Sequence, residues 1–197
     1  MRSSKMNGYI GNFNSSFLSC EKDMESIIRK LFVDSKPYSE ELKRLLVLNT
    51  KDCLDDRTNP VYLNKLKEMS VSNLIKNGYV RLTPKIAMEE NQEAQTYLVI
   101  TFDNFTPNST NGYYRDCTVM IDILCHQDNW DIGNYRLRPL KIAGYIDGIL
   151  NGERLSGIGT FQFMGCNELV LAENLAGYCL IYSAIHGVDD VLEPVDE

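Results

Sequence analysis

A chain of 197 residues with 44% hydrophobic and 24% charged residues has the size and composition of one globular domain, with or without an extension. Its net charge of −7 weighs against a protein that grips nucleic acid, because such affinity comes mainly from lysine and arginine displacing counterions from phosphates. No apolar run approaches the ~20 residues of a membrane-spanning helix, and the opening MRSSKMNGYIGNFNSS lacks the apolar core of a signal peptide.

In chain order, residues 1–19 are polar and rich in Ser and Asn, and read as an arm. Glu21 to Phe32 reads as a first helix, with Met24, Ile27, Ile28 and Leu31 at three-and-four spacing. Ser39 is the expected N-cap of a second helix carrying Leu42, Leu45 and Leu46. After a loop, a third helix is expected from Pro60, with Leu63, Leu66, Met69, Leu74 and Ile75, a break at Ser70 and a stop at Asn77-Gly78.

The character changes at Gly78. Tyr79 to Met88 alternates Val80, Leu82, Ile86 and Met88, a strand that Pro84 places at an edge or a bulge. Residues 89–93 form an acidic turn. Thr96 to Phe105 is a second strand, and Thr106 to Gly112 a polar hairpin tip.

Tyr114 to His126 alternates most clearly. Cys117, Val119, Ile121, Ile123 and Cys125 share one face, opposite a mixed face of Asp116, Thr118, Met120, Asp122 and Leu124. Pro139 opens a helix whose inward stripe is Ile142, Ile146, Ile149 and Leu150, and Asn151-Gly152 stops it. Thr160 to Met164, Glu168 to Leu171 and Gly177 to His186 read as closing strands, followed by an acidic tail, 187–197. The expected fold class is therefore α+β. A mixed or antiparallel sheet with one packed amphipathic helix occupies 78–186, preceded by an arm and helical extension, 1–77.

Chemistry-bearing constellations are sparse. The six cysteines form no CxxC pair and no zinc spacing, and Cys117 and Cys125 on one strand face would stand ~26 Å apart. Reduced, buried thiols are the simple reading. The Asn104 and Asn108 glycosylation patterns read as chance matches. His126 and His186 end two strands. If those strands pair, both could meet Asp128 or Asp131 at one sheet edge, the basis of a metal-dependent enzyme as an alternative reading. Asp103, Asp122 and Glu168 have the carboxylates of a metal-dependent nuclease but no lysine or histidine at matching spacing. Gly157-Ile158-Gly159 is explained by a helix-to-strand turn, and Ser156 has no nucleophile-elbow context. No cofactor is implied, and the expectation is a protein that is not an enzyme.

Interface candidates are clearer. Trp130 lies in the polar loop Asp128-Asn129-Trp130-Asp131, as an anchor for a partner or folded back on the core. Arg136 and Arg138 flank a helix start, where cations oppose the helix dipole. Acids on a neighbouring subunit would resolve that conflict, as would Asp128 or Asp131 of the same chain. Tyr135 belongs to the same loop. Asp116, Thr118 and Asp122 mark a lumen-facing or subunit-contacting surface.

The run CTVMIDILCH, a loop with Asp and Trp, then YRLRPLKIAGYIDGILNGERLSGIG and the later GYCLIYSAIHG resemble the tail terminator (tail completion) proteins of long-tailed bacteriophages. The resemblance covers the chain from about Gly78. It implies a virion protein, assembled in the host cytoplasm, that forms a homo-oligomeric ring, usually of six subunits. Such a ring caps the head-proximal end of the tail tube, stops its polymerisation and meets the neck proteins. DNA would pass through the lumen without specific binding, and an acidic bore would repel its phosphates. The closest competing role is another head–tail connector or stopper ring of the neck.

Overall fold

The computed structural model describes residues 20–83, 94–110, 115–155 and 159–186. The N-terminal arm, the acidic turn at 89–93, Ser156 and the 187–197 tail lie outside them. Helix α1 (20–29) runs into a π-helical turn, Lys30–Asp34. Ile27 and Leu31 are fully buried, as their spacing requires. Helix α2 (Tyr38–Val47) buries Leu42, Leu45 and Leu46. Its N-cap position is Pro37, not Ser39. Ser39 sits inside the first turn, where its buried hydroxyl accepts from the Ser35 N–H at 3.2 Å. One serine oxygen thus closes the preceding turn and leaves no capping role outside the helix.

The helical run expected from Pro60 is two helices, divided at the expected break, Ser70. Helix α3 (Pro60–Glu68) is capped by Asn59, whose side chain accepts from Val61 N–H at 3.0 Å. Helix α4 (Val71–Lys76) is capped by Ser70, which accepts from Asn73 N–H at 3.2 Å. Ser70 breaks the helix because its hydroxyl competes for a backbone donor.

The main sheet has the order β1-β2-β3-β7-β6. Strand β1 is Val80–Arg81, far shorter than the alternation over 79–88 predicts, and residues 84–93 lie outside the described part. It pairs parallel with β2 (Thr96–Pro107), and the remaining pairs are antiparallel. Strand β3 (Arg115–His126) is central, between β2 and β7 (Leu175–His186). The two closing strands expected at 160–164 and 168–171 are largely one, β6 (Gln162–Ala172). A small second sheet pairs β4 (Arg154–Leu155) with β5 (Gly159–Thr160).

All five residues of the apolar β3 face are buried. Helix α5 (Arg138–Leu150) lies over them with Ile142, Ile146, Ile149 and Leu150 buried, as its stripe predicts. Residues of α1, α2 and α4 belong to this same core, together with Leu98, Ile121 and Leu180. The boundary near 78 therefore marks a change of element type and not a second core. The helical part shares the apolar face of the sheet, whose burial is the main source of stability.

Two close contacts make testable demands. A methyl group on Gly177 would lie 1.7 Å from the carbonyl oxygen of Ile123 on β3. Gly177→Ala must spread a central strand pair, and we expect a loss of about 3 kcal/mol in urea unfolding. An unchanged midpoint would remove glycine's role there.

Glu41 of α2 accepts hydrogen bonds from the Tyr145 hydroxyl of α5 and from Arg57. Burial alone would raise its carboxyl, but the Tyr145 and Arg57 interactions outweigh it and hold the group below the usual range. A depressed carboxylate stabilises the fold above its unfolded value and loses that contribution as pH falls through the folded one. Glu41→Gln should therefore flatten the loss of stability below about pH 4. Equal acid slopes for the two proteins would refute the tie.

Candidate assembly surface

Much of the loop after β3 is tied to its own chain. His126 starts a 3-10 turn, Gln127–Asn129, accepting from Asp128 N–H at 3.3 Å. The Trp130 indole N–H donates to Cys125 O at 3.0 Å, and its ring lies tilted against Tyr178 of β7, 6.4 Å between centroids. The tryptophan thus folds back against the sheet. Asp131 pairs with Lys51 at 2.7 Å and accepts from Gly133 N–H at 2.8 Å, which together hold its carboxyl below the usual range. Arg136 pairs with Asp55 at 2.9 Å, and with neither Asp128 nor Asp131.

Arg138 corrects the sequence reading outright. It is 1% exposed, so it is not part of an intersubunit surface. Its guanidinium donates to the carbonyls of Asn129 (2.7 Å), Leu45 (2.6 Å), Leu48 (2.8 Å) and Thr50 (2.9 Å). Leu45 and Leu48 lie at the C-terminal end of α2, where carbonyls are unpaired and the dipole is negative. The cation that clashes with the start of α5 is matched to the end of α2. In the same loop, Asp128 is exposed and Tyr135 fully so, with a left-handed backbone (φ 60°).

The mixed β3 face turns away from the helices. Asp116 accepts from the Asn108 side chain at 2.7 Å, and Thr118 lies between Asp103 on β2 and Ser183 on β7. Asp122 stands between Val99 and Cys179. Burial, then Asp122 beside it, pushes the Cys179 thiol up to about 12, which keeps it protonated and unreactive. At the other end of this face, Tyr97, Val99, Leu124 and Leu175 form a second apolar cluster.

The enzyme constellations do not assemble. Strands β3 and β7 do pair, but antiparallel, with His126 opposite Leu175 and His186 opposite Arg115. The two histidines therefore sit at opposite ends of the pair. Asp103 and Asp122 share the open face, while Glu168, opposite Tyr178, is on the other. Among the described residues no three metal-capable side chains come together.

The feature that local reading missed is β6. It is the outer strand of the sheet, eleven residues long, and none of them is buried. Phe163, Met164, Val170 and Leu171 are exposed, at 42%, 65%, 66% and 45%, and Ile185 on β7 is 44% exposed. An unpaired edge displays a row of backbone donors and acceptors, and proteins that stay monomeric guard such edges with charged side chains, proline, bulges or a cover. Gln162 to Ala172 contains neither lysine nor proline. Two bulges, at 163/165 and 170/172, leave a regular stretch between them. The lack of lysine and proline over 162–172 is a usable sequence signal, but it acquires meaning only once the strand is known to be outermost.

The family model YomW matches residues 39–184, from α2 to β7. The chain belongs to the YomW family. This is a phage-associated family, and the match spans the edge strand and the whole sheet as well as helices α2 to α5. No curated protein matches the chain significantly.

Proposed function

We propose that this YomW-family protein is a virion structural protein. It forms a homo-oligomeric ring, of six subunits, that caps the head-proximal end of the tail tube, stops tube growth and joins the tail to the neck. The observation that carries this reading is β6: a long edge strand without lysine or proline, with Phe163, Met164, Val170 and Leu171 exposed, on a phage-associated protein. A closed ring of heterologous contacts buries such an edge in every subunit and leaves none free to propagate. The protein's role is structural and not catalytic, and its place is the virion.

The open sheet face, with Asp103, Asp116 and Asp122, suits a bore that DNA traverses without sticking. The protein's net charge of −7 has the same consequence. The deciding experiment is electron microscopy of the purified protein, alone and mixed with tail tubes. Rings with a central hole, seated at one end of the tube, are expected; monomers that never cap tubes would overturn the reading. Twelve-fold rings bound to the portal side would make it a connector instead. Within assembled virions, Asp116→Lys with Asp122→Lys should slow genome ejection several-fold, and an unchanged rate would remove the acids from the bore.

A further inference from the structure

A ring built from one repeated contact needs two different patches, one on each flank of the subunit. Strand β6 forms one flank. None of its residues is buried, so Phe163, Glu168 and Val170, on the helix side of the sheet, lie beyond the cover of the helical layer. Residues 161–186 carry two acids, Glu168 and Glu173, both exposed, and no lysine or arginine.

The other flank has the opposite charge. Helix α2 packs on β2, α3 on α2 and α4 on β1, so these helices gather at the far end of the sheet order from β6. Strands β1 and β6 are four strand spacings apart, roughly 19 Å. Between α2 and α3 opens a groove of about 370 Å³. Tyr62 and Leu66 tie α3 to the core, while Pro37, Leu63 and Leu66 give the groove an apolar floor, with Leu63 still 38% exposed. Lys43, Arg44, Arg57 and Lys67 line it against only two acids, Glu40 and Glu41. On a chain of net charge −7 this groove is locally cationic.

Those two acids are already engaged, Glu41 with Arg57 and Tyr145 and Glu40 with Lys36. Arg44 donates to the neutral carbonyls of Cys53 and Asp56. Lys43 and Lys67 form no ion pair among the described residues, and neither do Glu168 and Glu173. Burial lowers the half-buried Lys43 ammonium from the usual lysine value, so a carboxylate brought beside it restores what lost hydration took away.

We propose that the subunit contact joins the β6 flank of one copy to the α2–α3 groove of the next. The inference rests on the ring reading and names its two surfaces. Glu168 and Glu173 meet Lys43 and Lys67, and the exposed Val170 and Leu171 lie against Leu63 and Leu66. Each subunit offers both flanks once, so the contact repeats until the ring closes.

The test uses the full chain. In rings reassembled from equal amounts of isotopically heavy and light protein, carbodiimide should couple Lys43 or Lys67 of one copy to Glu168 or Glu173 of another. These mixed-isotope links should exceed those to Lys65, an exposed lysine of α3 outside the groove, several-fold. Glu168→Lys with Glu173→Lys, and separately Lys43→Glu with Lys67→Glu, should each weaken self-association at least tenfold. An equimolar mixture of the two variants should recover rings holding equal numbers of both, because every contact in an alternating ring again pairs opposite charges. Rings whose links favour neither groove lysine, or variants that each close rings alone, would overturn this contact and leave the ring reading standing. A parent protein that stays monomeric would overturn both.

Discussion

Replacing Arg138 with methionine should cost roughly 4–5 kcal/mol, the largest single-residue effect expected outside the apolar core. The side chain is 1% exposed and satisfies four backbone carbonyls. Methionine matches its bulk but leaves those oxygens buried and unpaired, at about 1–3 kcal/mol for each that water cannot reach. Relaxation and water entry keep the total below the sum. For a chain of this length the loss corresponds to a melting point lower by roughly 10–15 °C, readable by calorimetry. Arg138→Lys should fall between, because one ammonium cannot span carbonyls from α2, the 127–130 turn and Thr50 together. A loss under about 1 kcal/mol for the methionine variant would show that the four bonds are dispensable.

The second large effect concerns assembly and leaves the fold alone. Met164→Lys with Val170→Lys places two ammonium groups on residues that are 65% and 66% exposed in the single chain. Exposed substitutions of this kind usually shift monomer stability by no more than about 0.5 kcal/mol. At the centre of a subunit contact the same lysines would be desolvated, lowering affinity by a hundredfold or more, or roughly 3 kcal/mol. Native mass spectrometry should show rings for the parent protein and single chains for the variant, with matching melting points. Rings that survive the double substitution would place the subunit contact elsewhere and remove the chief support for the structural reading.

The comparison of Arg138 with Ile142 shows why some of this was legible and some was not. Ile142, Ile146 and Leu150 announce their burial through spacing within one helix, and Pro139 and Asn151-Gly152 mark its ends. The five alternating residues of β3 do the same for a strand. Those signals are local, and the structure follows them. Arg138 shows its meaning only through Leu45 and Leu48, 93 and 90 residues away. Arg136 depends in the same way on Asp55, 81 residues away. Local reading saw a cation misplaced at a helix start; the end of a second helix, packed alongside, supplies its counterpart.

The same division runs through the proposed site. Periodicity and capping chemistry set which segments become helices and strands, because hydrogen-bond competition and side-chain direction act over a few residues. They also set the two faces of β3. Strand order is a property of chain return, and it alone decided that β6 is outermost, that His126 and His186 lie at opposite ends, and that Trp130 rests on Tyr178. An identical strand sequence in the middle of the sheet would have its edge paired and nothing to offer a neighbour. Among the described residues, its position at the rim leaves Met164, Val170 and Leu171 exposed, and that exposure is the physical ground for the proposed assembly.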